Sequence, residues 1–214
     1  NIGLSSIGFR ELGFKNNKLF IFEPDFFLCE KYLEKLKRYY KKIHIYRFGL
    51  SKRNEDKFLY QAYYNNLFLH FNNSFSLKYI KKKIKENYPK KYKIFKYKKK
   101  KFQLKRFDDL SIDKNICFVK IDVEGLDHLV LMGMKKLISL QKPVFLIEYN
   151  ISNFKIIYDL LKTKYFCYIF MFEQNKLMKL NEIKIKKLSN NKSLDFKYSK
   201  NSFNLFFIPK TLAI

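Results

Sequence analysis

At 214 residues the chain has room for one sizeable core and is short for two domains, and its 47% hydrophobic and 19% aromatic content is ample to fill that core. No run of about 18 uncharged apolar residues is available to span a bilayer, so a soluble protein is expected. The formal charge of +26 comes almost wholly from lysine, since only five of the 45 basic residues are arginine (Arg10, Arg38, Arg47, Arg53, Arg106); it fits either an AT-rich coding bias spread over solvated faces or attraction to a polyanionic partner.

In chain order, NIGLSSIGFREL reads as a helix that Gly13 terminates. Helix N-termini expose free N–H groups that bind anions, and a glycine such as Gly3 lets a ligand approach the backbone. KLFIFE, 18–23, is a short strand ending in Glu23, after which Pro24-Asp25 opens a helix. In that helix Cys29, Tyr32, Leu33, Leu36, Tyr39 and Tyr40 share one stripe. IHIYRF, 43–48, is a second strand, closed by the turn Gly49-Leu50-Ser51.

Segment 52–110 breaks the alternation and is expected to be a variable insertion on the acceptor side. Within it, 81–101 holds twelve lysines against one acid, Glu86, and reads as an insertion over the site or an unstructured arm. Its interleaved Tyr88, Tyr92, Phe95 and Tyr97 support a rival reading as a nucleic-acid-binding module. Strand ICFVKI, 116–121, follows, then a helix with Leu126, Leu129, Val130, Gly133, Met134 and Leu137 on one face. Strand PVFLIE (143–148), helix 153–163, strand 165–172 and strand 203–208 complete the pattern. Strands alternating with helices imply one α/β domain over 1–214, built on a parallel sheet. The cysteines, Cys29, Cys117 and Cys167, are odd in number and lie in apolar segments, and no cationic leader opens the chain, so the expected setting is reducing and cytoplasmic.

Three strands end in polar or acidic groups: Glu23, the Gly49–Ser51 turn, and Asp122 with Glu124. In an open parallel sheet ligands bind beyond the carboxyl ends of strands, so these ends are expected to converge. A carboxylate there accepts hydrogen bonds from two vicinal hydroxyls, which places Glu23 to hold a ribose. No Walker-type Gly-Lys-Ser/Thr is present.

KIDVEGLDHLVLMGMKKLISLQKPVFLIE, 120–148, resembles the signature block of the FkbM family of S-adenosylmethionine-dependent methyltransferases. NIGLSSIGF resembles the end of that family's cofactor loop, IFEPD its second-strand F-E-P, FGLS its third-strand A-L-S, RFDDL its T-L-D-D-L, and NLFFIP its closing strand. The chain departs from the pattern at Asp127 (usually Glu), Leu126 (usually Ala) and Phe107 (usually Leu). Asn1 falls inside the cofactor loop, so the family's first strand is expected to be missing from this chain. The resemblance implies a Rossmann-like class I methyltransferase fold: a mostly parallel twisted sheet, helices on both faces and an antiparallel closing strand. It implies S-adenosylmethionine held by Asn1, Gly3, Glu23, Pro24, Leu50, Ser51 and Asp122. It also implies O-methylation of a hydroxyl on a sugar, glycan or secondary metabolite, with a catalytically inactive relative as an alternative. Transfer to a hydroxyl needs a base, for which Asp122, Glu124 and Glu148 are the candidates; His128 lies off its helix's apolar stripe and reads as a surface residue. No His/Cys cluster stands at metal-ligand spacing, and none of these residues is assigned to a metal.

Overall fold

The strand predicted over 18–23 is present as β1, Leu19–Phe22, and that over 43–48 as β2, Ile43–Tyr46, paired in parallel with Leu19 opposite Ile43. The structure, a computed structural model, describes residues 3–14, 16–112, 115–123, 125–190 and 204–212. Its contacts divide into two compact units, Asn1–Lys105 and Arg106–Ile214.

In the first unit the alternation of strand side chains sends Leu19, Ile21, Ile43 and Ile45 to one face, where they pack with Cys29, Leu33 and Leu36. On the other face Phe20 stacks on His44 at 5.2 Å and Phe22 on Tyr46 at 4.9 Å, pairs that fix the register of a two-stranded sheet. Helix α1, Leu4–Glu11, ends before Gly13, whose φ of +98° few side chains tolerate. Helix α2 runs through Phe26–Leu28, a π-helical turn at Cys29–Leu33, and Glu34–Tyr39. Its predicted stripe holds at Cys29, Leu33 and Leu36 but not at Tyr39, which is 80% exposed; the wider π turn rotates the helix surface, and the chain leaves the helix at Tyr40.

Segment 52–110 is an ordered sheet. Strands β3 (Gly49–Ser51), β4 (Glu55–Tyr64), β5 (Leu67–Ser74) and β6 (Lys96–Arg106) stand in the order β3-β6-β4-β5, with β4 antiparallel to both neighbours. The turn between β4 and β5 is Asn65-Asn66, both at positive φ, as a two-residue hairpin requires. Helix α3, Leu77–Asn87, is capped by Ser76, whose Oγ accepts from Tyr79 N–H at 3.3 Å, and buries Ile80 and Ile84 against Ala62 and Phe95. The lysine run 81–101 is therefore helix, turn and strand, and not an unstructured arm. Tyr92 and Tyr97 pack on that same cluster and Tyr88 lies 5.2 Å from the Phe95 ring, so the interleaved aromatics are engaged in packing.

In the second unit β7 (Phe118–Ile121) and β8 (Val144–Glu148) are parallel neighbours, with Phe118 opposite Val144 and Ile121 opposite Ile147. Strand β11, Asn204–Pro209, runs antiparallel between β8 and β9, Tyr165–Met171, and β10, Lys176–Lys179, turns back along β9. The order is β10-β9-β11-β8-β7. The closing strand is antiparallel, as expected, but the sheet is mixed and not mostly parallel. Strands β7, β8 and β9 share a direction, yet β11 separates β8 from β9, and the short β9–β10 connection permits only antiparallel pairing. The whole is a mixed α/β fold.

The helix expected over 126–137 is two helices, α4 (Asp127–Met132) and α5 (Lys135–Leu140), separated at Gly133-Met134. Asp108 makes the break. Its carboxylate accepts from Lys136 N–H at 2.9 Å and Leu137 N–H at 3.4 Å, its own N–H donates to Gly133 O at 3.0 Å, and Arg106 Nη2 donates to it at 3.4 Å. The helix after β8 is α6, Ile151–Leu161, two residues earlier than predicted because Asn150 caps it through Ser152 N–H. Helix α7, Glu182–Ser189, completes the unit. Among the described residues no helix is long and apolar enough to cross a membrane.

Candidate functional site

The first unit gathers several of the predicted residues at the ends of β1 and β3. Glu23 follows β1 directly, its N–H still pairing with Tyr46 O at 3.0 Å, and is 9% exposed. The Pro24 turn brings the Asp25 N–H onto Glu23 Oε1 at 2.9 Å, which orients the carboxylate. Pro24 packs on Gly49: a Cβ at Gly49 would lie 3.4 Å from Pro24 Cγ and 2.6 Å from Leu104 Cδ2, so a larger residue there requires the Leu104 side chain to shift. Leu50 is half-buried, and Ser51 is buried, its hydroxyl donating to Glu55 Oε1 at 3.2 Å. Gly3 caps α1 at φ +94°, and a Cβ there would approach Leu36 Cδ1 to 2.8 Å. Packing and backbone conformation thus both demand its glycine. Asn1 lies outside the described residues.

Asp25, read from the sequence only as a helix opener, is the hub of this region. It is 2% exposed and accepts from Phe27 N–H at 3.0 Å, Gln61 Nε2 at 2.7 Å and Lys100 Nζ at 3.1 Å. Its neighbour Cys29 donates Sγ–H to Glu23 O at 3.3 Å, and burial, followed by the Glu23 charge, pushes this thiol up to about 11. The signal in the sequence was the Glu-Pro-Asp triplet at a strand end; its partners, Gln61 and Lys100, lie 36 and 75 residues away.

In the second unit Asp122 leaves the sheet one position beyond Ile121, and Glu148 stands one beyond Ile147. Ile121 and Ile147 are in register, so Asp122 and Glu148 each follow directly on a paired position of two adjacent parallel strands. Asp122 is exposed and paired with Lys120 Nζ, and Glu148 is half-buried. Glu124 lies outside the described residues. His128 is half-buried on α4.

Asp127 is structural. It is 2% exposed, accepting from Val123 N–H at 3.3 Å and from Asn153 Nδ2 at 3.2 Å, while the same amide donates to Gly125 O at 3.0 Å. Gly125 is at φ +90°, which closes the turn. The signature loop 122–127 is thereby tied to α6. Burial, above all, raises the Asp127 carboxyl above its ordinary range, with the Asp122 charge adding to it. A carboxyl raised in the fold contributes stability that is complete below its unfolded value and lost as pH rises through the folded one. Asp127→Asn is therefore expected to gain on the wild type as pH rises from about 3 to 8, read as the difference between their urea midpoints; a difference that stays flat over that range contradicts the assignment.

Among the described residues no group of three His, Cys, Asp or Glu side chains is placed to hold a metal ion. Taken unit by unit, the carboxylate of Glu23 has the chemistry to accept hydrogen bonds from a diol, and those of Asp122 and Glu148 to accept a proton.

A family profile described as the methyltransferase FkbM domain matches residues 9–170. A crystal structure of methyltransferase FkbM from Methylobacillus flagellatus KT matches with a TM-score of 0.55 and 16% identity, over 96% of this chain. This chain spans 40% of that protein's length, and at such identity the likeness is one of fold. A comparison with curated proteins found no match. With the profile covering most of its length, the chain belongs to the FkbM methyltransferase family.

Proposed function

We propose that the chain is an S-adenosylmethionine-dependent O-methyltransferase of Rossmann-like class I architecture, acting in the cytoplasm on a hydroxyl of a glycan or small metabolite. Family membership supports the methyltransferase role. The shared direction of β7, β8 and β9, with β11 antiparallel, supports the architecture. The observation that carries the cofactor assignment is Glu23: a carboxylate at a strand end, held by the Asp25 N–H, fits the two vicinal hydroxyls of a ribose. S-adenosylmethionine, when bound, supplies a methyl group on a sulphonium centre.

The chain's own residues then align and deprotonate. Glu23 holds the ribose, with Pro24, Leu50 and Ser51 shaping the same end of the first unit and Gly3 contributing backbone; Asn1 is assigned to the cofactor by the family resemblance alone. The candidate bases are Asp122, just past the end of β7, Glu148, at the end of β8, and Glu124. One of them takes the acceptor hydroxyl proton, with Lys120 steadying Asp122.

The test is transfer of label from methyl-tritiated S-adenosylmethionine into a fractionated cell extract. Label is expected in the glycan or small-molecule fraction in an alkali-stable form, as an ether and not an ester. Asp122→Asn should lower incorporation by about 10²-fold or more. Label confined to protein or nucleic acid would overturn the acceptor class.

A further inference from the structure

Segment 52–110 is where the sequence places acceptor selection, yet two of its side chains reach back to the strand-end turn of β1. Gln61 Nε2, on β4, donates to Asp25 Oδ2 at 2.7 Å, and Lys100 Nζ, on β6, donates to Asp25 Oδ1 at 3.1 Å. Gln61 is 3% exposed, and its own Oε1 accepts from Tyr63 O–H at 3.3 Å. Strands β4 and β6 are paired, with Gln61 opposite Lys98 and Leu59 opposite Lys100, so the two donors come from one rigid ladder. Asp25 in turn fixes Glu23, by the 2.9 Å bond from its N–H to Glu23 Oε1. The helix-cap bond to Phe27 N–H occupies Oδ1, which leaves Gln61 as the donor to Oδ2.

From this we infer that Gln61 is a positioning residue for the nucleoside carboxylate: it orients Glu23 through Asp25, with Lys100 as the second anchor. The inference rests on the reading of Glu23 as the ribose ligand. A rigid second layer behind a binding carboxylate matters because a donor or acceptor misplaced by a fraction of an ångström loses its bond, while the buried Asp25 oxygen left unpaired pulls the turn towards other partners. Lys100 completes the set of donors, placing its ammonium 3.1 Å from Asp25 Oδ1. The four-stranded sheet thus takes part in cofactor affinity as well as in the choice of acceptor.

The experiment is calorimetric titration of the protein with S-adenosylhomocysteine and with its 2′-deoxyribose analogue, comparing wild type, Glu23→Ala and Gln61→Met. Wild type is expected to prefer the ribose form by about tenfold, the worth of one good hydrogen bond. Glu23→Ala should abolish that preference, and Gln61→Met should reduce it to twofold or less while leaving affinity for the deoxy analogue unchanged. A general loss of fold would weaken both ligands alike and leave the ratio intact. Should Gln61→Met prove unfolded by circular dichroism, Lys100→Met, whose side chain is 42% exposed, carries the same comparison. Full preference retained in the folded variant, with Glu23→Ala having lost it, overturns the positioning role alone. No preference in wild type, or no binding, overturns the reading of Glu23 as well.

Discussion

Arg10→Met is expected to cost the first unit about 3–5 kcal/mol, the range for removing one side of a buried charged contact. Arg10 is fully buried on α1. Its Nη1 donates to Phe14 O and Asn17 O, both at 2.7 Å, and its Nη2 to Lys41 O at 3.1 Å and Lys42 O at 3.5 Å. One planar guanidinium therefore closes the loop after α1 and joins it to the approach to β2. Burial lowers the Arg10 pKa, but a guanidinium remains charged in the interior, and four carbonyls share its protons. Methionine keeps the length and deletes the donors. Arg10→Lys should lose less, since an ammonium keeps the charge but cannot span the fork. Urea unfolding followed by circular dichroism reads both; an unchanged midpoint for Arg10→Met would show that the clasp contributes nothing.

Asp25→Ala is expected to cost about 3 kcal/mol, combining loss of a helix cap, about 1 kcal/mol, with a stranded buried Gln61 amide, about 2 kcal/mol. Lys100 adds little to this sum because its exposed ammonium can return to water. The same substitution releases Glu23 only indirectly, since the bond to Glu23 comes from the Asp25 backbone. Asp25→Asn should fall between, keeping the cap oxygen while setting an amide against the Gln61 amide unless one of them turns. The comparison is again of urea midpoints, and equal stability of Asp25→Ala and wild type would remove Asp25 from the centre of the unit.

These two residues show where the sequence was opaque. Strands β1, β2, β7, β8 and β11 were legible because each is a short apolar run bounded by a turn or a charge. Asp25 was legible as a cap, since an acidic residue just before an apolar stripe is a local signal. Its role as a hub was not, because Gln61 and Lys100 reach it from distant strands. Strand β6 was hidden by its lysines. Lys98, Lys99 and Lys101 are exposed and tolerate charge, while Lys100 turns inward to Asp25, so the two-residue alternation of polarity is lost. The β4–β5 hairpin did leave a signal, Asn65-Asn66 between aromatic runs, which a search for positive-φ turn pairs would have found. The split between α4 and α5 left none in the apolar spacing, which runs unbroken through Gly133; the cap that makes it comes from Asp108, 28 residues earlier. At the candidate site, the acids at the strand ends were legible, but the division of labour was not. Asp122 faces solvent beside Lys120, whereas Asp127, five residues on, is buried as the tie to Asn153.

The central claim is that Glu23 holds the ribose of a sulphonium nucleoside, and its most direct test is calorimetric binding of S-adenosylhomocysteine to the folded protein, with Glu23→Ala alongside. Binding in the micromolar range, weakened about a hundredfold or more by Glu23→Ala through loss of hydrogen bonds to a charged acceptor, is the expected result. A folded protein that does not bind, or one that binds equally well without Glu23, would contradict it.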